Sequence, residues 1–140
     1  MRKALVCLVA LGLTACASTQ ERGERQPPEE LAKYVATGEF ENCISISRIK
    51  RSRPLDDYTI LFTMRGGTVY VNQLPYRCAQ LGFEKRFSYS TFINRLCSTE
   101  IITVFSPTIG PITSCGLGRF ERLEPKEDAA EQNTETPPDG

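Results

Sequence analysis

Residues Asp57 to Gln73 read DYTILFTMRGGTVYVNQ. Folding the chain at Gly66-Gly67 sets Met64 opposite Val69 and Phe62 opposite Val71 on one apolar face. Thr63 then lies opposite Tyr70, and Leu61 opposite Asn72, on a mixed face. That alternation predicts a half-buried antiparallel hairpin. Two adjacent glycines suit a two-residue turn that needs positive φ, a region other residues resist. Arg65 flanks the turn on its wetter side.

Outward from the hairpin, further short runs carry β-branched and aromatic residues. Asn42 to Ile49, Phe87 to Phe92, Ile101 to Phe105 and Arg119 to Leu123 read as strands. Gly82, Pro107, Gly110, Pro111, Gly116 and Gly118 punctuate between them. Asn94 to Cys97 reads as a short turn of helix. The expected fold is all-β: a small antiparallel barrel or sandwich of about five or six strands, spanning residues 40–123.

The flanks differ in kind. The chain of 140 residues is neutral overall, with 17 basic and 17 acidic side chains, but the charge is segregated. Residues 40–123 carry eleven Lys and Arg against six Asp and Glu, a net +5, and residues 124–140 are net −5. That acidic tail, EPKEDAAEQNTETPPDG, has no aromatic or branched apolar side chain and is expected to stay disordered. Residues 16–39 read as a polar tether, within which Leu31 to Val35 is expected to form one or two helical turns, since Leu31, Tyr34 and Val35 share a face.

The chain opens with Arg2 and Lys3, then the apolar run Ala4 to Leu13, too short for the roughly 20 residues of a membrane-spanning helix. The following Leu13-Thr14-Ala15-Cys16 resembles the bacterial lipobox. The resemblance implies a signal peptide over 1–15, a diacylglycerol on the Cys16 thiol, cleavage before it, and acyl chains including palmitate as the anchor. One acyl chain binds a membrane marginally and several bind it firmly. Ala17 follows the cysteine where an aspartate would signal retention, which favours the outer membrane, facing the periplasm.

Export leaves Cys43, Cys78, Cys97 and Cys115 in an oxidising compartment. An even number in a small exported domain predicts two disulfides. Zinc is disfavoured because no Cys-x-x-Cys spacing occurs and the chain has no histidine. Of the three pairings, the layout of turns favours Cys78–Cys97 with Cys43–Cys115. Each bridge is expected to add roughly 3–4.5 kcal/mol on the chain-entropy model.

Several blocks stand together in this core: Leu55-Asp56-Asp57, Met64-Arg65-Gly66-Gly67, Leu74-Pro75 with Cys78, Asn94-Arg95-Leu96-Cys97, and Cys115-Gly116-Leu117-Gly118. Over Asn42 to Leu123 they resemble a family of small exported proteins and lipoproteins of Gram-negative bacteria, classed as a domain of unknown function. The resemblance implies a disulfide-bonded β domain and transfers no catalytic residue.

Three functional classes follow. The first is a non-catalytic module binding an envelope polyanion, such as lipopolysaccharide phosphate or peptidoglycan carboxylate. Its candidate residues are Arg48, Lys50, Arg51, Arg53 and Arg65, with Arg77, Lys85, Arg86 and Arg95 extending a cationic face; arginine matches planar oxyanions through its fork. The second is an inhibitor or assembly factor that holds a periplasmic protein through Tyr58, Tyr70, Tyr76, Tyr89 and Phe92. The third is a glycan hydrolase using Asp56 with Glu84 or Glu100 as a carboxylate pair. Asp56 and Asp57 read more simply as turn residues that cap backbone N–H groups. No motif for a cofactor, a metal or nucleic acid occurs, so none is expected.

Overall fold

A computed structural model describes residues 26–126. The stretch read from sequence as a signal peptide (1–15), Cys16, the first part of the expected tether and the residues beyond Lys126 lie outside the described residues. In chain order the strands are β1 (Tyr34–Glu41), β2 (Cys43–Ser45), β3 (Ile49–Pro54), β4 (Thr59–Met64), β5 (Val69–Gln73), β6 (Phe87–Tyr89), β7 (Arg95–Cys97), β8 (Ile101–Ser106), β9 (Gly110–Gly116) and β10 (Phe120–Pro125). One short helix, α1 (Leu81–Glu84), and two 3-10 turns, Glu29–Lys33 and Ile46–Arg48, interrupt them.

All pairings are antiparallel. A five-stranded sheet runs β1-β10-β5-β4-β3, a three-stranded sheet runs β6-β8-β9, and β2 pairs with β7. The sheets do not close into a barrel. The large sheet packs across one core against the two smaller ones, so the architecture is sandwich-like.

The hairpin of β4 and β5 is the centre of the large sheet, and it is buried on both faces. On the inner face, Ile60, Phe62, Met64, Tyr70 and Phe120 pack with Ile44, Leu96, Ile102 and Val104. The Phe62 ring meets Phe120 and Phe87 edge-on at 5.5 and 6.4 Å between centroids, a geometry the ring quadrupoles favour. On the outer face, Leu61, Val69, Val71 and Leu123 are covered by Leu31, Tyr34 and Leu55. The 3-10 turn Glu29–Lys33 therefore acts as a lid on that second, smaller core.

Several expectations are corrected. The hairpin register lies one residue away from the expected one: Phe62 pairs with Tyr70, Leu61 with Val71 and Thr63 with Val69. The loop takes three residues, Arg65 to Gly67, because Met64 N–H donates to Thr68 O at 2.8 Å. Gly66 and Gly67 both hold positive φ, 100° and 91°, as the turn requires. Among the described residues there are ten strands, where five or six were expected. Residues 34–39 belong to β1 and not to the tether, and only Glu29–Lys33 is helical there. Arg95–Cys97 is a strand and not a helical turn. Gly110, Pro111 and Gly116 lie within β9, where they read as punctuation in the sequence.

All four core cysteines are oxidised, with partners exchanged relative to the expectation: the bridges are Cys43–Cys97 and Cys78–Cys115. Cys43 and Cys97 sit directly opposite one another in the β2–β7 ladder. The second bridge ties the segment before α1 to β9.

Candidate functional site

A cleft of about 380 Å³ lies beside the β4–β5 turn. Its floor is apolar, from Ile44 and Met64, and Cys43 of the first bridge lies in its wall. Arg48 enters from the 3-10 turn that joins β2 to β3, and Arg95 from β7. Among the described residues neither arginine takes part in an ion pair. Arg95 Nη2 donates only a long bond, 3.5 Å, to Cys43 O.

Local structure explains how two arginines from separate elements converge. Arg48 O accepts the Arg65 N–H at 2.7 Å, which fixes the start of β3 against the hairpin turn. Asn94 brackets the 3-10 turn: its Oδ1 accepts Ser47 N–H at 3.1 Å, and its Nδ2 donates to Ser47 Oγ at 2.9 Å. The Cys43–Cys97 bridge clamps β2 on β7. The block Asn94 to Cys97 therefore positions Arg95 as well as closing the fold.

In the same cleft lining, Tyr70 Oη donates a short hydrogen bond to Glu41 Oε1. The phenol is pushed up to about 12, first by burial, then by the bond to Glu41 and by its charge; Arg122 and Arg48 pull the other way. Tyr70 thus stays a neutral donor. The cleft offers two guanidinium groups, one engaged carboxylate and an apolar floor, which together suit a compact ligand with an anionic end and an apolar body.

The expected five-residue basic patch is split by the sheet. Arg51 and Arg53 register with Thr63 and Leu61, on the outer face, away from Arg48. Arg53 is ion-paired with Glu30, which joins β3 to the 3-10 lid. Lys50 sits in the irregularity between Ile49 and Arg51, and Arg65 is exposed at the hairpin turn. Of the five, Arg48 alone lines the cleft. Arg95 joins it because its strand is bridged to the strand of Cys43, a link that sequence spacing does not reveal.

The candidate carboxylates are not assembled as a pair in one cleft. Asp56 lines a shallow cleft with Tyr58 and Arg77, and Glu100 lines a different one with Ser88 and Tyr89. Glu84, on α1, lines neither. Asp56 Oδ1 accepts Tyr58 N–H at 2.7 Å and Asp57 Oδ1 accepts Gly82 N–H at 3.0 Å, which is the turn-capping role read from sequence. Among the expected surface aromatics, Tyr70 is buried, Tyr58 and Tyr89 are half-buried, and Tyr76 and Phe92 are exposed. Among the described residues no group of three or more Cys, Asp or Glu is placed to hold a metal, and no helix is long and apolar enough to cross a membrane.

A disulfide-linked β sandwich with one two-arginine cleft is the class these observations define. The chain belongs to a family of unknown function, DUF6491, whose family model matches residues 1–136. The match thus extends well beyond the Asn42 to Leu123 blocks on both sides. No curated protein and no solved structure is detectably similar to it.

Proposed function

We propose that this chain is a lipid-anchored cell-envelope protein, held by Cys16 at the outer membrane and facing the periplasm, that acts by binding and not by catalysis. Its ligand is an anionic envelope component, bound at the cleft between Arg48 and Arg95. One observation carries the reading: two arginines from different elements turn onto one apolar-floored cleft, and neither is neutralised by an ion pair among the described residues. The lipobox supports the location, and the two disulfides fit an oxidising compartment.

The test has two arms. Palmitate labelling and membrane fractionation of the chain with and without Cys16→Ser address the anchor; a soluble, unlabelled wild-type chain would end that part. Binding to lipopolysaccharide or to peptidoglycan fragments addresses the ligand. Binding should fall with added salt, and with Arg48→Ala or Arg95→Ala but not with Arg51→Ala. Equal binding by all three variants would move the site elsewhere.

A second reading rests on Phe92, which is fully exposed beside Ile93 on a loop braced by Thr91, whose Oγ1 donates to Ile93 O at 2.6 Å and accepts Ile93 N–H at 3.1 Å. An exposed apolar tip suits a protein partner, as in an inhibitor or assembly factor. In-cell crosslinking through position 92 that yields one stoichiometric protein would favour it.

A further inference from the structure

We infer that the cleft takes a zwitterion: a phosphoethanolamine group whose phosphate meets Arg48 and Arg95 and whose primary ammonium meets Glu41. This rests on the cleft reading above and adds the ligand's second charge. Opposite charges share this lining without pairing. Glu41 is its one carboxylate, beside two guanidinium groups. Among the described residues no ion pair joins Glu41 to either arginine.

The fold explains why they stay apart. Glu41 ends β1, opposite Phe120 of β10. Its Oε1 accepts the Tyr70 hydroxyl of β5, which ties the side chain to the large sheet. Burial, then the bond to Glu41, hold the Tyr70 phenol up to about 12. Tyr70 therefore meets the carboxylate as a neutral donor and leaves its charge uncompensated. Among the described residues Oε2 has no hydrogen-bond partner. Arg95 belongs to the other ladder, opposite Ser45 of β2, and its Nη2 reaches Cys43 O at 3.5 Å. Arg48 leaves the 3-10 turn toward the hairpin glycines, where a Cβ on Gly66 would stand 3.9 Å from its Nη2. The acid and the two bases thus come from separate elements around one cleft.

Chemistry selects the ligand class. A carboxylate offers two oxygens in one plane, which a single guanidinium fork satisfies. A phosphate offers oxygens in several directions and accepts two forks at once. A simple phosphate is repelled by Glu41, whereas an ammonium on the same molecule donates to its remaining oxygen. The lining carries two formal positive charges and one negative, a net +1. A phosphoethanolamine monoester, with a phosphate near −2 and one ammonium, carries about −1 in return.

The mature full chain, in non-ionic detergent, is titrated with O-phosphoethanolamine and with ethyl phosphate, which lacks the ammonium. At about pH 8 both phosphates are dianions. The chain should bind phosphoethanolamine roughly fivefold more tightly, or better. Glu41→Gln keeps an acceptor for Tyr70, so the fold is retained. It should abolish the preference without weakening ethyl phosphate, and Arg95→Ala should weaken both ligands. Micelles doped with phosphatidylethanolamine or with phosphatidylcholine then compete for the site. Displacement of phosphoethanolamine by the first alone assigns a lipid headgroup as its source; displacement by neither assigns a phosphoethanolamine outside the lipid. Displacement by both, no preference in the full chain, or a preference that survives Glu41→Gln would overturn the ammonium contact and leave the anion cleft standing. Binding of neither phosphate would remove the cleft reading and this inference together.

Discussion

Asn72 and Gly118 hydrogen-bond each other twice. The Asn72 Nδ2 donates to Gly118 O at 2.7 Å, and Gly118 N–H donates to Asn72 Oδ1 at 2.9 Å. The amide is fully buried, so this is a backbone-like ladder step made by a side chain inside the core. It sets β10 on β5, where Phe120 lies opposite Asn72. It also explains the glycine. A Cβ on residue 118 would stand 2.0 Å from Gln73 O, a main-chain atom that cannot turn away.

Two substitutions test that lock. Asn72→Leu keeps the branched shape but leaves the part-buried N–H and O of Gly118 without their partner, and should destabilise by about 2–4 kcal/mol. Gly118→Ala should cost about 3 kcal/mol or more, because the strand itself must shift. Urea unfolding measures both. A loss below about 0.5 kcal/mol in either would mean that the β5–β10 contact is not held by this pair.

The bridges make a second, ordered prediction. Non-reducing digestion should yield Cys43–Cys97 and Cys78–Cys115 peptides and no others. On the chain-entropy model each closes a loop worth roughly 4 kcal/mol, from separations of 54 and 37 residues. The paired Cys43→Ser, Cys97→Ser and Cys78→Ser, Cys115→Ser variants should therefore lose similar stability. They should differ in function, since only the first bridge forms a wall of the cleft and holds the strand of Arg95. Anion binding that weakens equally in the two would contradict the placement of the site.

How far the sequence led is clearest at the hairpin. Its existence is legible because apolar residues crowd both arms around Gly66-Gly67. Its register is not, because β4 is buried on both faces: Ile60, Leu61 and Phe62 are each at most 2% exposed. Alternation fixes register only where one face is wet. The basic run at β3 hides for a different reason. It is the edge of the large sheet, and charged side chains on an edge strand look like a loop while they block pairing with another chain. β1, YVATGEFE, is largely exposed and lacks an apolar stripe, so its pairing with β10 has no local signature. Four cysteines state that two bridges exist and leave the partners to the topology. Arg95 was visible as one cation among many; that it meets Arg48 follows only from the Cys43–Cys97 ladder.

Tyr70 gives a pH prediction. Its phenol titrates near 12 in the fold and near 10 when unfolded, so the native state holds the proton longer. The stability this contributes is fully present below pH 10. It is lost as pH rises from about 10 to about 12, with a slope of at most about 1.4 kcal/mol per pH unit. The difference in phenolate absorbance between wild type and Tyr70→Phe isolates this group from the other tyrosines. Glu41→Gln removes a charge and weakens the hydrogen bond, so it should lower the Tyr70 value yet leave it above 10, since burial is the larger cause. A drop all the way to 10 would assign the whole shift to Glu41.

Asp57 divides its carboxylate between two tasks of unequal weight, and the division can be measured. Oδ1 accepts Gly82 N–H at 3.0 Å at α1, and Oδ2 accepts Arg77 Nε at 3.0 Å and Nη2 at 2.9 Å. Its backbone O takes the Cys78 N–H at 2.7 Å, so the residue joins the hairpin entry to the second bridge. Arg77 is two-thirds exposed, where an ion pair contributes little, about 0–1 kcal/mol, and less in salt. The Gly82 bond is partly buried, and leaving its N–H unmet costs about 1–3 kcal/mol. Asp57→Ala should therefore destabilise by about 2 kcal/mol and Arg77→Ala by under 1 kcal/mol. Asp57→Asn retains an oxygen for Gly82 and should recover most of the loss, with little sensitivity to 0.5 M NaCl. If Asp57→Asn and Arg77→Ala both match Asp57→Ala, the ion pair and not the Gly82 bond holds this corner.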